Sequence, residues 1–372
     1  MKRILLALAL ARLSAGAAGL TADSSRGRQL FESLACVQCH SLNGEGGTTA
    51  PDLGRMIDRG FTPATLAATM WNHAPGMWAA MQGRQISAGE MTPQDAQDLM
   101  AFFYAARFFE KPGDAARGLG AFQSLGCQGC HGLTTSANGG AKPASQWEAL
   151  RDPFALVEAM WNHSAAMETQ TKSRGRPLPQ ITAQELTDML VYLRNLPGIR
   201  PPSGEFHVTA GESGDKVFQS AGCGACHQTI AALAARVEGQ TLTEIAADMW
   251  NHAPRMIAQG SPPKLAEGQM RELAGALWSA KFLGETGRPA SGRRVFAEKN
   301  CAVCHNDAAS GAPHLPAAGR SFSSATMVSV LWRHGPRMLD QMKSKGLEWP
   351  RFDGIQMSDL IAYLNSNPPG QP

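Results

Sequence analysis

Residues 36–40 read CVQCH, and the same frame returns as CQGCH at 127–131, CGACH at 223–227 and CAVCH at 301–305. All eight cysteines lie in these four pentads: Cys36 and Cys39, Cys127 and Cys130, Cys223 and Cys226, Cys301 and Cys304. A histidine follows each pair at once: His40, His131, His227 and His305. An even set of cysteines could close disulfides, bind structural zinc or, as a lone pair, form a redox dithiol. None of these needs the histidine. Ten histidines in 372 residues make four such placements by chance a matter of about five in ten million.

The spacing is that of covalent haem attachment. On a helical turn residues i and i+3 face the same way, so both thiols reach the two vinyl groups of one porphyrin. The next residue then offers its imidazole to the iron from the same side. Four pentads predict four haem c groups, each with its iron.

Around the pentads the chain is helical in pattern. Apolar residues cluster at helical spacing, as in DAQDLMAFFYAARFF (95–109) and MSDLIAYL (357–364), while alternating strand patterns are absent. With 39 Gly and 23 Pro, short helices joined by ordered loops are expected. Charged residues make up 17% and hydrophobic ones 43%, a globular composition. Residues 1–22 have a basic start at Lys2 and Arg3, an apolar run from Ile4 to Leu13 and small residues after it, which reads as a secretory signal peptide cleaved near Ala17 to Ala22. The run is too short to span a bilayer, and no later segment is long enough. No basic stripe offers itself to nucleic acid.

The chain repeats itself. Gly27 and Phe31, Gly118 and Phe122, Gly214 and Phe218, Gly292 and Phe296 precede the pentads in one spacing, and the pentads open at 36, 127, 223 and 301. Each unit resembles a class I cytochrome c domain, and the four cover nearly the whole chain after the leader. The resemblance implies an all-α protein of four tandem domains, each built around one covalent haem: 23–111, 112–199, 208–286 and 287–372. It implies a crossing of first and last helices in which Phe102, Tyr192 and Tyr363 meet the Gly/Phe pairs, with Ala276 and nearby Trp278 in the third unit. It also implies a Pro carbonyl bonded to the proximal His, for which Pro51 and Pro313 fit well, Pro143 loosely, and the third unit has no Pro.

The second face of the iron must also be closed. Residues 70–77 read MWNHAPGM, and MWNHSAAM (160–167), MWNHAPRM (249–256) and LWRHGPRM (331–338) repeat it. In the family a methionine after a short helix takes this place, which points to Met77, Met167, Met256 and Met338. Thr62 and Pro63 would start the helix, and Pro75, Pro254 and Pro336 would end it before the Met. Imidazole is an equally good ligand, so His73, His163, His252 and His334 are the alternative distal set. With Met bound, Trp71, Trp161, Trp250 and Trp332 would pack on the macrocycle edge. Met91, Met100, Met189 and Met357 read as core.

Irons closed on both faces leave substrates no place to bind, so the expectation is a periplasmic carrier that relays single electrons between redox protein partners, not an enzyme. Two alternatives stay open: a peroxidase-like oxidoreductase with one open haem, the second unit being the suspect, and a cytochrome subunit of a larger respiratory complex. The stiff linker LPGIRPPSGEFH (196–207) predicts two pairs of units, one on either side of it.

Overall fold

The computed structural model describes residues 22–54, 62–87, 89–106, 113–137, 141–197, 199, 212–237, 240–260, 262–282, 287–315 and 321–366. The leader, apart from Ala22, and most of the three inter-unit boundaries lie outside the described residues.

Helices dominate every repeat, and we number the repeats as units 1 to 4. Unit 1 holds α1 (Ser24–Ser33), α2 (Pro63–Gly83) and α3 (Pro93–Ala106), with a two-residue hairpin of β1 (Ser41–Leu42) and β2 (Glu45–Gly46). Unit 2 holds α4 (Ala115–Ser124), α5 (Pro153–Asn162), α6 (Ser164–Ser173) and α7 (Ala183–Arg194). Unit 3 holds α8 (Glu212–Ser220), α9 (Ile230–Ala234), α10 (Leu242–Gln259) and α11 (Gln269–Phe282). Unit 4 holds α12 (Pro289–Glu298), α13 (Ala302–His305), α14 (Ser324–Ser344) and α15 (Gly354–Asn365).

In each unit the first helix crosses the last: α1 on α3, α4 on α7, α8 on α11, α12 on α15. The repeated glycine is the reason the backbones come so close. A Cβ on Gly118 would stand 2.0 Å from the Asp188 carbonyl oxygen and 2.7 Å from Tyr192 Cβ, and Gly27 and Gly292 are as tightly placed against Asp98 and Asp359. The aromatics meet there as expected, Phe31 with Phe102 at 5.7 Å, Phe122 with Tyr192 at 6.1 Å and Phe296 with Tyr363 at 5.5 Å between ring centres. In unit 3 the small Ala276 takes the aromatic's place, its Cβ facing Gly214. Gly118→Ala is expected to cost about 3 kcal/mol through this overlap, measured as a lowered denaturant midpoint.

A buried carboxylate locks three of the crossings. Asp188 accepts from the Asp114 amide and from Arg117 Nε, both at 2.8 Å. Asp98 accepts from the Asp23 amide and Arg26, and Asp359 from the Arg288 amide. Burial alone would raise the pKa of Asp188, but the bonds from Arg117, the Asp114 amide and Gln184 hold it below the ordinary carboxylate range.

The predicted pairing of units across the middle linker is overturned. Helices α14 and α15 pack on α2, and α14 on α3, so unit 4 pairs with unit 1; α10 and α11 pack on α5, and α10 on α7, so unit 3 pairs with unit 2. The docking residues explain this choice. In the 2–3 pair, Asn162 bonds both the N–H and the C=O of Leu265 at 2.8 Å, and Asn251 does the same to Ile181 at 2.8 and 2.9 Å. Trp161 Nε1 donates to the Pro263 carbonyl and Trp250 Nε1 to that of Pro179, both at 2.9 Å. The interface is therefore self-complementary, the same Trp-Asn dipeptide of each unit reaching the same loop of the other. In the 1–4 pair Asn72 brackets Phe352 and Trp332 Nε1 donates to Gly89, while Arg333 stands where the second Asn would be. The tryptophans predicted for the macrocycle edge thus serve to dock neighbouring units.

The proline expectation also fails. Helices α2, α10 and α14 run through Pro75, Pro254 and Pro336. A proline inside a helix removes its own N–H, which would have bonded the carbonyl four residues back, and its ring pushes against that carbonyl. In α2 that carbonyl belongs to Trp71, and Trp349 Nε1 of unit 4 supplies the missing donor at 2.8 Å. Unit 2 has Ala165 at the position of these prolines, yet there the helix is interrupted, at His163.

Candidate haem sites

Each Cys-x-x-Cys-His pentad forms one tight turn in which the His amide bonds the carbonyl of the first Cys at 2.9 Å, in all four units. All eight cysteines are free of disulfides. Burial pushes the Cys36, Cys127 and Cys301 thiols up to about 11 and raises that of Cys223. Thiols held neutral in this way are poor metal ligands, since ligation takes the thiolate.

Backbone carbonyls orient the proximal imidazoles. His40 Nδ1–H donates to Pro51 O and His305 Nδ1–H to Pro313 O, both at 2.9 Å. For His131 the acceptor is Lys142 O at 3.2 Å, one residue before the loosely fitting Pro143, and the same oxygen takes the Trp147 indole N–H at 3.0 Å. Because a carbonyl only accepts, Nδ1 carries the hydrogen and Nε2 is left bare for a metal. The Pro51 loop is itself tied down: the Asp52 carboxylate accepts amides of Asn43, Gly44 and Gly54, which outweigh the upward push of burial and lower its pKa.

Opposite these rings the structure places the other histidines. The His40 and His73 ring centres are 6.3 Å apart with planes at 72°, His131 and His163 are 6.2 Å apart at 74°, and His227 and His252 are 5.7 Å apart at 56°. A metal–imidazole bond of about 2 Å, with the ring centre about 1 Å beyond the nitrogen, sets trans imidazoles roughly 6 Å apart. His73 Nδ1–H donates to the Thr69 carbonyl one turn back at 2.6 Å, and His163 Nδ1–H to that of Ala159, so their Nε2 atoms are bare as well. Burial lowers the pKa of His131 and His252, and the facing histidine adds to it, favouring the neutral ring that binds iron.

The methionines differ. Met77, Met167 and Met256 sit one turn further along the same helix or the one after it, half-buried against the hydrophobic core. In unit 4, among the described residues, no ring contact joins His305 to the exposed His334, and Met338 is half-buried. Met91, Met100, Met189 and Met357 are core, each at most 3% exposed.

The residues fit the group they would hold. Unit 3 opens a cavity of about 440 Å³ lined by Cys223, His227, His252 and Met256, with Arg236 and Arg255 at hand for carboxylates. Two arginines were not foreseen from the sequence. Arg84 reaches the Gln38 carbonyl and Cys39 Sγ, and Arg174 reaches the Gly129 carbonyl, each from eleven residues beyond the facing histidine. That shared spacing was the available signal.

Residues 24–104 match the family model described as cytochrome c, and residues 287–364 match the one described as cytochrome c oxidase, cbb3-type, subunit III. No curated protein and no solved structure gives a significant match to the chain.

Proposed function

We propose that this chain, which matches cytochrome c family models over residues 24–104 and 287–364, is a class I cytochrome c whose four units all bind haem c and together relay single electrons between redox proteins in the periplasm. The covalent haem supplies a one-electron iron couple. The chain's residues do the rest: cysteine pairs anchor, the proximal His binds the iron, and the helices exclude water.

The facing histidine rings carry this reading. We assign His73, His163 and His252 as distal ligands of units 1 to 3 in place of Met77, Met167 and Met256, because the imidazoles stand at the separation trans ligands need. In unit 4, where no ring contact between His305 and His334 is found among the described residues, we leave the distal role with Met338, as the family pattern has it. Imidazole on both faces gives a lower reduction potential than the His/Met set, so unit 4 is the high-potential end. The match of unit 4 to a cbb3 oxidase subunit family supports a place beside a larger respiratory complex. Among the described residues no helix is long and apolar enough to cross a membrane. The leader pattern of residues 1–22 supports export.

Electron paramagnetic resonance of the oxidised protein tests the assignment. Imidazole planes crossed near a right angle in units 1 and 2 predict strongly anisotropic low-spin signals, with a sulfur–iron charge-transfer band from unit 4 alone in the near infrared. A charge-transfer band with the intensity of four thioether-ligated irons would overturn it.

A further inference from the structure

On the reading that electrons pass from unit to unit, we infer that they follow the spatial order 2–3–1–4, not the order of the chain, and that redox protein partners dock at units 2 and 4. Three junctions define this order. The 1–4 and 2–3 pairs meet close to the repeated histidines, since Trp71, Trp161, Trp250 and Trp332 each lie two residues before His73, His163, His252 and His334. At the 2–3 junction Trp161 of unit 2 also lines the haem cavity of unit 3. At the 1–4 junction Trp71 stacks on Trp349 at 5.3 Å, and Trp349 meets Trp78 edge-on at 5.7 Å.

The third junction joins the two pairs. Tyr104 of unit 1 stacks on Trp278 of unit 3, ring centres 5.0 Å apart and planes at 30°, and its hydroxyl donates to the Gln240 carbonyl at 3.3 Å. Both side chains are buried. They also hold equivalent places, each two residues after the helix-crossing position of its unit, Phe102 and Ala276. The same place holds Arg194 in unit 2 and Asn365 in unit 4. An aromatic thus stands in the two units that meet and a polar residue in the two that end the row. Among the described residues, the helix packing and the Tyr104–Trp278 stack give units 1 and 3 two neighbours each and units 2 and 4 one each, which leaves the latter more surface for a partner. Tunnelling falls steeply with distance, so the row sets the path. One electron from a reduced donor protein at one end leaves to an oxidised acceptor protein at the other; each unit is reduced and reoxidised once, and no bond is made or broken.

The test injects electrons at unit 2 of the full holoprotein from a ruthenium photosensitiser on Ser173→Cys, an exposed position of α6. In separate proteins His252→Met or His73→Met adds a sulfur–iron band for unit 3 or unit 1, read as the difference from the parent protein, in which unit 4 alone has that band. The unit 3 marker is expected to respond first and the unit 1 marker to lag behind it. Adding Tyr104→Leu with Trp278→Leu is expected to abolish the fast unit 1 response and leave that of unit 3 unchanged. A unit 1 marker that responds no later than unit 3, or a unit 1 response unmoved by the double substitution, overturns the order while electron relay stands. A flash that reduces unit 2 and reaches no other unit overturns the relay itself.

Discussion

Reduced protein carrying His73→Ala, His163→Ala and His252→Ala is expected to bind one carbon monoxide for each histidine removed, whereas Met77→Ala, Met167→Ala and Met256→Ala are expected to leave carbon monoxide binding at the level of the unmodified protein. The facing rings stand 5.7–6.3 Å from their proximal partners, so removing one is expected to open that face of the iron to a small ligand. The reduction potential should move in step, since each truncated site loses an imidazole that holds the potential low. Carbon monoxide titration with optical detection reads both sets. Uptake by the methionine variants and none by the histidine variants would return the distal role to Met77, Met167 and Met256.

Asn162→Ala combined with Asn251→Ala lowers the stability of the 2–3 pair by several kcal/mol. Each asparagine is the partner of one backbone N–H and one C=O, at Leu265 and at Ile181, and both of those residues are buried. An unpaired buried polar group costs roughly 1–3 kcal/mol, and the double variant leaves two donors and two acceptors without their partners. Thermal unfolding followed by haem absorption should show an early transition for units 2 and 3, ahead of units 1 and 4. An unchanged single transition would mean that apolar packing alone holds the pair.

What the sequence made legible was whatever repeats with local chemistry. The pentads, the Gly and aromatic pairs of the helix crossing, and the N-cap at Thr62, whose hydroxyl accepts the Thr65 amide, each carry their reason within a few residues. The locking carboxylates Asp98, Asp188 and Asp359, four residues before Phe102, Tyr192 and Tyr363, were as regular and could have been found the same way. The Trp-Asn dipeptide was visible as a repeat, but its purpose was hidden. Its acceptors are backbone groups of Pro179, Ile181, Pro263 and Leu265, and a backbone carbonyl has no sequence signature. The sequence left both His and Met as candidates, because residues i and i+4 share a helix face and only the orientation of the helix decides which side chain faces the proximal histidine. Pro75 misled for a related reason: the donor that lets α2 pass through it comes from Trp349, in another unit.

The intact mass of the purified holoprotein addresses the central claim most directly. The account predicts one haem for each of the pentads at 36–40, 127–131, 223–227 and 301–305, hence a polypeptide heavier by four covalent haems. A mature chain that carries fewer would contradict it.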